Sequence, residues 1–216
     1  MNNNHKKIYE VFMVIIIWLS LVLRFVYLLR DNSIPELSWR IMDFFFYFTI
    51  ESNMIAGIYF IFTLIVKDFS RKNHPLISGA VLLYVLIAGL VYITMLSGID
   101  TRTGIDFKTA NLLLHYINPL GVIFYWLFFI KKENFKWIYS ILWLTFPLVY
   151  FFIAFFKGII TGNYQYPFMN VVKLGYTRVI IIGLVITLIL IVLGVLFVAA
   201  NRLLCKYGIF KNDIKI

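Results

Sequence analysis

The sequence YFTIESN at residues 47–53 places polar side chains inside a stretch that is otherwise apolar enough to span a lipid bilayer. At helical spacing Thr49, Ser52 and Asn53 share one face, and Glu51 points away from them. A carboxylate near the centre of a bilayer costs ~2.5 to 3.5 kcal/mol on insertion scales. This stretch therefore predicts a membrane helix whose polar face packs against polar groups elsewhere in the chain.

The overall composition is that of an integral membrane protein, because 62% of the residues are hydrophobic and only 14% are charged. The single cysteine, Cys205, excludes an internal disulfide, and no Cys/His cluster suggests a metal, so we expect neither a metal nor another cofactor. The net charge of +10 comes from cations at the ends of apolar segments, where they set topology and meet lipid head groups. We therefore expect membrane lipids, and not nucleic acid, as partners.

Six apolar segments are each long enough to cross a hydrocarbon core of ~30 Å, which predicts an all-α bundle of six transmembrane helices. Lysine and arginine are more frequent on the side that holds the termini, so both termini are predicted to be cytoplasmic and the protein to lie in the cell membrane. Residues 1–216 are predicted to form a single membrane domain with spans at about residues 8–29, 41–66, 76–96, 110–130, 137–156 and 179–204.

A second polar stripe opens the fourth span, where Asn111, His115 and Asn118 recur at helical spacing. The second and fourth spans run in the same direction in this topology. Thr49 lies about eight residues into its span and His115 about five, which places them ~12 and ~8 Å below the same boundary. The two stripes are therefore predicted to meet.

A threonine hydroxyl beside an imidazole is the minimum for nucleophilic acyl transfer, with histidine as the general base. Asn53, Asn111 or Asn118 could donate to a developing oxyanion or orient the imidazole. The alternative is structural, because the same side chains can join helices through hydrogen bonds worth ~0.6 to 2 kcal/mol each.

Three motifs carry a family resemblance: YFTIESN at 47–53, LLHYINP at 113–119, and FPLVYFFIAFFKGIITGNYQYPF at 146–168. Together they resemble the Pr6Pr family of prokaryotic membrane proteins over about residues 44–176. That family is related to the androgen-induced and androgen-dependent TFPI-regulating membrane proteins, which are threonine hydrolases of fatty acid esters of hydroxy fatty acids. The resemblance implies that Thr49 is the nucleophile, that His115 is its base and that the substrate is a lipid-like ester. Glu51 and Asn170 depart from the pattern, which usually has glutamine and an acidic residue there.

Several other residues are predicted to support the site or to bind substrate. Glu51 could act as a third catalytic group or proton carrier, but pairing with Arg24 of the neighbouring span is favoured because unpaired buried charges are costly. Tyr164, Tyr166 and Phe168 could form a lid over a lipid-accessible cavity or simply lie at the membrane interface. The complete predicted supporting set is Glu51, Ser52, Asn53, Asn111, Asn118, Tyr164, Tyr166 and Asn170.

The sequence favours a hydrolase of lipid-like esters and leaves two alternatives open. The first is a carrier in which Glu51, His115 and the asparagines line a path for protons or a polar solute. A carrier requires polar groups that continue to the cytoplasmic side, whereas the cytoplasmic halves of these spans are predicted to be almost wholly apolar. The second is a lipid-binding protein, in which Thr49 and His115 would be replaceable.

Overall fold

The structure is a computed structural model that describes residues 3–30, 36–66, 69, 74–130 and 132–207. These residues form helices and connecting loops, with no strand among them. The α-helices are α1 (Asn3–Arg30), α2 (Leu37–Phe45), α3 (Phe48–Ile65), α4 (His74–Val91), α5 (Ile105–Leu112), α6 (Asn118–Phe129), α7 (Tyr139–Leu142), α8 (Thr145–Thr161), α9 (Val171–Leu174) and α10 (Tyr176–Lys206). Two π-helical segments, Tyr92–Leu96 and Leu113–Ile117, follow α4 and α5, and a 3-10 turn covers Pro167–Met169.

Six helical segments in the described part of the chain are long and apolar enough to cross a membrane. They confirm the predicted all-α, multi-pass architecture, while the orientation of the termini stays a prediction. The spans are Asn4–Arg30, Phe48–Ile65, Leu76–Leu96, Ile105–Phe129, Tyr139–Thr161 and Tyr176–Lys206.

The second span begins later than the sequence predicted, because a helix break separates α2 from α3. Tyr47 has an extended backbone (φ −85°, ψ 123°), and its N–H bonds the carbonyl of Phe44 at 3.3 Å. The prediction that Thr49 lies about eight residues into a continuous helix is therefore wrong. Thr49 is the second residue of α3, and the aromatic run before it gave no sign of the break.

The connection after α8 folds back over the α2–α3 break and is held there by a polar cluster. The Lys157 ammonium donates to the Asp43 carboxylate and, at 2.9 Å, to the side-chain oxygen of Gln165. The Gln165 amide donates to the backbone carbonyl of Asp43 at 3.2 Å. A Cβ atom on Gly158 would lie 2.3 Å from the ring of Tyr164, so only glycine lets this connection pack so closely. The cluster fixes the position of Tyr166, one residue beyond Gln165.

A buried polar group also lies at the opposite end of the bundle, where α1 begins and α6 ends. Glu10 is 2% exposed, accepts a hydrogen bond of 2.5 Å from the Tyr125 hydroxyl, and has the Lys6 ammonium at 3.7 Å. Glu10 is therefore an exception to the expectation that this half of the spans is almost wholly apolar. In the sequence Glu10 lies four residues after Lys6, and only the fold reveals that Tyr125 reaches it from 115 residues away.

Candidate active site

A polar cavity of about 210 Å³ lies at the end of the bundle where α1 ends and α3 begins. The structure brings four of the predicted site residues to this cavity: Thr49, Asn111, His115 and Tyr166. Thr49 comes from the first turn of α3 and His115 from the π-helical segment between α5 and α6. Helix α5 starts further out than predicted, so His115 lies deeper in its span than the sequence indicated and still shares the cavity with Thr49.

An apolar pocket of about 80 Å³ adjoins the polar cavity. Its walls come from α3, α4, α8, α10 and the 3-10 turn, and they include Val91, Phe151, Phe168 and Leu190. Three residues line both spaces: Thr49, Leu96 and Tyr166. The Thr49 side chain therefore lies at the boundary between a polar and an apolar compartment.

The backbone N–H groups around Thr49 differ in their hydrogen-bond partners. Ile50 and Glu51 donate to the carbonyl of Tyr47 at 2.9 and 3.1 Å, and Phe48 donates to the hydroxyl of Tyr166 at 3.1 Å. The N–H of Thr49 donates to no residue in the described ranges. It lies in the first turn of α3, where the helix dipole favours negative charge.

His115 owes its position to an irregular helix. Pro119 has no N–H to donate to the carbonyl of His115, and the chain adopts a π-helical turn just before it. Helix α4 approaches that carbonyl so closely that a Cβ atom on Gly89 would lie 2.7 Å from it. Single π-helical turns occur frequently at functional sites, and both of those in the described chain line this cavity.

The imidazole of His115 is held by ring stacking and leaves one nitrogen free. It stacks on the Tyr92 ring with a centroid distance of 4.0 Å and an angle of 13° between the planes. Asn111 donates a hydrogen bond to the Tyr92 hydroxyl, so it supports the imidazole through Tyr92. The imidazole also interacts with the backbone carbonyl of Ala88. Its Nδ1 is buried and has no hydrogen-bond partner among the described residues.

Tyr166 closes the boundary between the two compartments. Its hydroxyl interacts with the hydroxyls of Thr49 and Tyr150, and its ring stacks on Phe168 at 5.0 Å. Burial raises the pKa of Tyr166 to about 12, so the phenol is neutral at physiological pH and can donate a hydrogen bond. Tyr164 lines neither cavity and instead packs against Gly158.

Other predicted supporting residues join helices in this structure. Asn118 donates to Asn53 at 2.8 Å and to Ser20 at 3.1 Å, which connects α6 to α3 and α1. Asn53 and Ser52 donate to the backbone carbonyl of Thr49 at 2.8 and 3.2 Å. These three predicted residues line neither compartment. Asn53 and Asn118 join helices as in the structural alternative, whereas Ser52 bonds only within α3.

Asn170 and Glu51 lie outside the two compartments. Asn170 caps α9 by accepting a hydrogen bond of 3.1 Å from the backbone N–H of Lys173. The predicted ion pair between Glu51 and Arg24 is wrong, because no such contact within 4 Å is present among the described residues. Arg24 instead lines the polar cavity. Its side chain lies among the rings of Tyr27, Tyr47 and Phe107.

Sequence reasoning missed Tyr92, Asp100, Arg102 and Gln165, which are polar residues that line this cavity. Arg102 donates to both carboxylate oxygens of Asp100, at 2.7 and 2.9 Å. Burial alone would raise the pKa of Asp100, but the hydrogen bonds and charge of Arg102 outweigh it and hold that pKa below its usual value. Opposite charges two residues apart in a loop were the only available signal, and such pairs are common on solvated surfaces.

No family model, curated protein or solved structure matches this chain. The resemblance to the Pr6Pr family therefore stays a prediction.

Proposed function

We propose that the protein hydrolyses lipid-like esters, with Thr49 as the nucleophile and His115 as the general base. One observation carries the proposal: Thr49 lines both an apolar pocket and a polar cavity that also contains His115. An ester is itself divided in this way, into an apolar acyl chain and a polar carbonyl. With the chain in the apolar pocket, the carbonyl carbon comes to lie at the Thr49 hydroxyl.

The first half of the reaction forms an acyl-threonine. The Thr49 oxygen attacks the ester carbonyl carbon while Nδ1 of His115 accepts the hydroxyl proton. The backbone N–H of Thr49 and the neutral phenol of Tyr166 are the donors available to the oxyanion. The carbon–oxygen bond to the alcohol then breaks, and the alcohol leaves with the proton from His115.

The second half restores the enzyme. A water molecule in the polar cavity attacks the acyl-threonine and gives its proton to His115. The tetrahedral intermediate collapses, Thr49 recovers the proton, and the fatty acid leaves. Thr49 and His115 make no direct hydrogen bond to each other in the described structure, so a water or the bound substrate must lie between them for the proton to transfer.

Purified protein incubated with a panel of fatty acyl esters tests this proposal, including branched esters of hydroxy fatty acids. We expect Thr49→Val and His115→Phe to reduce kcat by at least ~100-fold, the usual contribution of a general base. The valine keeps the shape of threonine and the phenylalanine keeps an aromatic ring against Tyr92. Thr63→Val is the matched control, because that hydroxyl bonds the carbonyl of Phe60, interacts with Tyr125 at the other end of the bundle and lines neither compartment. Full activity in both site variants would refute the proposal.

A proton or small-solute carrier is the second candidate, favoured by the buried Glu10 cluster at the other end of the bundle. An apolar layer separates that cluster from the Ser20–Asn53–Asn118 network and includes the fully buried Ile17 and Ala56. A carrier would have to open this layer. Under this reading Glu10→Gln abolishes solute-driven proton uptake in proteoliposomes, and under the hydrolase reading it leaves ester hydrolysis unchanged.

A further inference from the structure

Arg24 is a cation in the polar cavity that forms no ion pair within 4 Å with any residue the structure describes. Its guanidinium lies 5.3 Å from the ring centre of Tyr27, 5.9 Å from that of Tyr47 and 5.0 Å from that of Phe107. It donates no hydrogen bond to any residue in the described ranges. The three rings hold the guanidinium in place but satisfy none of its N–H groups.

The one carboxylate that lines the cavity already accepts hydrogen bonds from another arginine. Asp100, the only acidic residue among those that line the cavity, receives both of its short hydrogen bonds from Arg102. The guanidinium of Arg102 also lies 4.6 Å from the Phe107 ring, so the two arginines approach the same aromatic side chain. The cavity therefore contains two positive charges and one negative charge.

An excess positive charge in a protein cavity favours a bound anion, because desolvating a charge without a partner is costly. A guanidinium is a planar fork whose donors match the oxygens of a carboxylate or a phosphate. The same cavity opens past Thr49 and Tyr166 onto the apolar pocket. A ligand that satisfied both spaces would have an anionic head and an apolar tail.

We propose that Arg24 is the anchor for an oxyanion and that the ligand of this site is an anionic amphiphile. The inference concerns binding and does not depend on hydrolysis. Combined with the proposed reaction, it makes Arg24 a specificity-determining residue that selects esters carrying a carboxylate or phosphate group over neutral esters.

Binding of defined probes tests the proposal. The purified protein in a neutral detergent is titrated with laurate, dodecyl phosphate, dodecanol and inorganic phosphate, and the thermal unfolding temperature and the Kd are recorded. We expect laurate or dodecyl phosphate to bind at least about tenfold more tightly than dodecanol, because only the first two have an oxyanion. The preferred head group identifies the source of the charge. If inorganic phosphate binds as tightly as dodecyl phosphate, the apolar pocket takes no part in binding. That result would overturn the proposal that the ligand is an amphiphile.

Two substitutions with opposite expectations make the test sharper. Arg24→Gln should weaken binding of the anionic probe by about tenfold or more and leave dodecanol unchanged, and Arg24→Lys should restore part of the affinity. Asp100→Asn removes the negative charge and should tighten binding of the anionic probe. Should Arg24→Gln fail to fold, Asp100→Asn and Arg24→Lys still decide the matter. Equal affinity for anionic and neutral probes, or no response of anion binding to these substitutions, would overturn the proposal.

Ester hydrolysis and probe binding, measured on the same samples, separate this inference from the proposed function. If no ester is hydrolysed but probe binding depends on Arg24, the anion site stands and the hydrolase proposal fails. If esters are hydrolysed and anionic and neutral ones react equally well, the hydrolase proposal stands and the anion site fails.

Discussion

Single polar residues in this membrane domain fall into two groups that the sequence does not distinguish. Thr49 and His115 face a cavity, whereas Asn53 and Asn118 bond each other in a fully buried position. On each helix the two residues lie three or four positions apart in a largely apolar stretch of sequence. Thr49 lies just after a helix break, and His115 lies in a π-helical turn. These two irregularities direct both side chains toward one cavity, and no residue pattern specified them.

We predict that Asn118→Leu lowers stability without removing activity. The substitution deletes hydrogen bonds to Ser20 and Asn53 and leaves the Asn53 oxygen unsatisfied, which should cost about 1 to 3 kcal/mol. Thermal unfolding in detergent measures the loss, and hydrolysis below the melting transition measures the activity. Thr94→Val is the control, because its exposed hydroxyl bonds only the Leu90 carbonyl of its own helix. Lost activity at unchanged stability would give Asn118 a chemical role.

At the scale of helices, the number of spans was predictable and their internal breaks were not. Long apolar segments between charged ends predict membrane helices because backbone groups in lipid must be paired internally. The break at Tyr47 depends instead on contacts from far along the chain, since the Tyr150 hydroxyl donates to the carbonyl of Phe46 at 2.7 Å. Tertiary contacts of this kind override local helix propensity.

The Asp43–Lys157 pair is predicted to hold the α2–α3 break and the connection that carries Tyr166. Both side chains are largely buried, so Asp43→Asn leaves an uncompensated cation and should cost ~3 to 5 kcal/mol. Thermal unfolding of the purified variant measures the effect. The matched control is Asp106→Asn, whose partner Arg30 is 71% exposed and whose loss should cost at most ~1 kcal/mol. Equal melting temperatures for the two variants would show that the cluster does not hold this region.

At the scale of the whole molecule, the two ends of the bundle differ in chemistry. The cavity end contains Thr49, His115, Arg24 and Arg102. The other end contains the Glu10 cluster and the beginning and end of the described chain. The excess of lysine and arginine at the latter end predicts that it is cytoplasmic. The cavity would then open toward the outer face.

The single cysteine allows a direct test of this orientation. Cys205 lies in the last turn of α10, at the end opposite the cavity. We predict that a membrane-impermeant maleimide labels it only after cells are permeabilised. Gly98→Cys in a Cys205→Ser background should be labelled in intact cells, because a side chain at Gly98 meets no atom within 4 Å and lies beside the cavity. The reverse labelling pattern would invert the topology.

The most direct test of the central claim is mass spectrometry of the protein after brief reaction with a p-nitrophenyl ester of a fatty acid. The account predicts an acyl group on the peptide that contains Thr49, absent in Thr49→Val and much reduced in His115→Phe. The Thr63→Val control should acquire the adduct as the wild type does. An acyl group on another residue, or ester turnover that survives Thr49→Val, would contradict the assignment of Thr49 as the nucleophile.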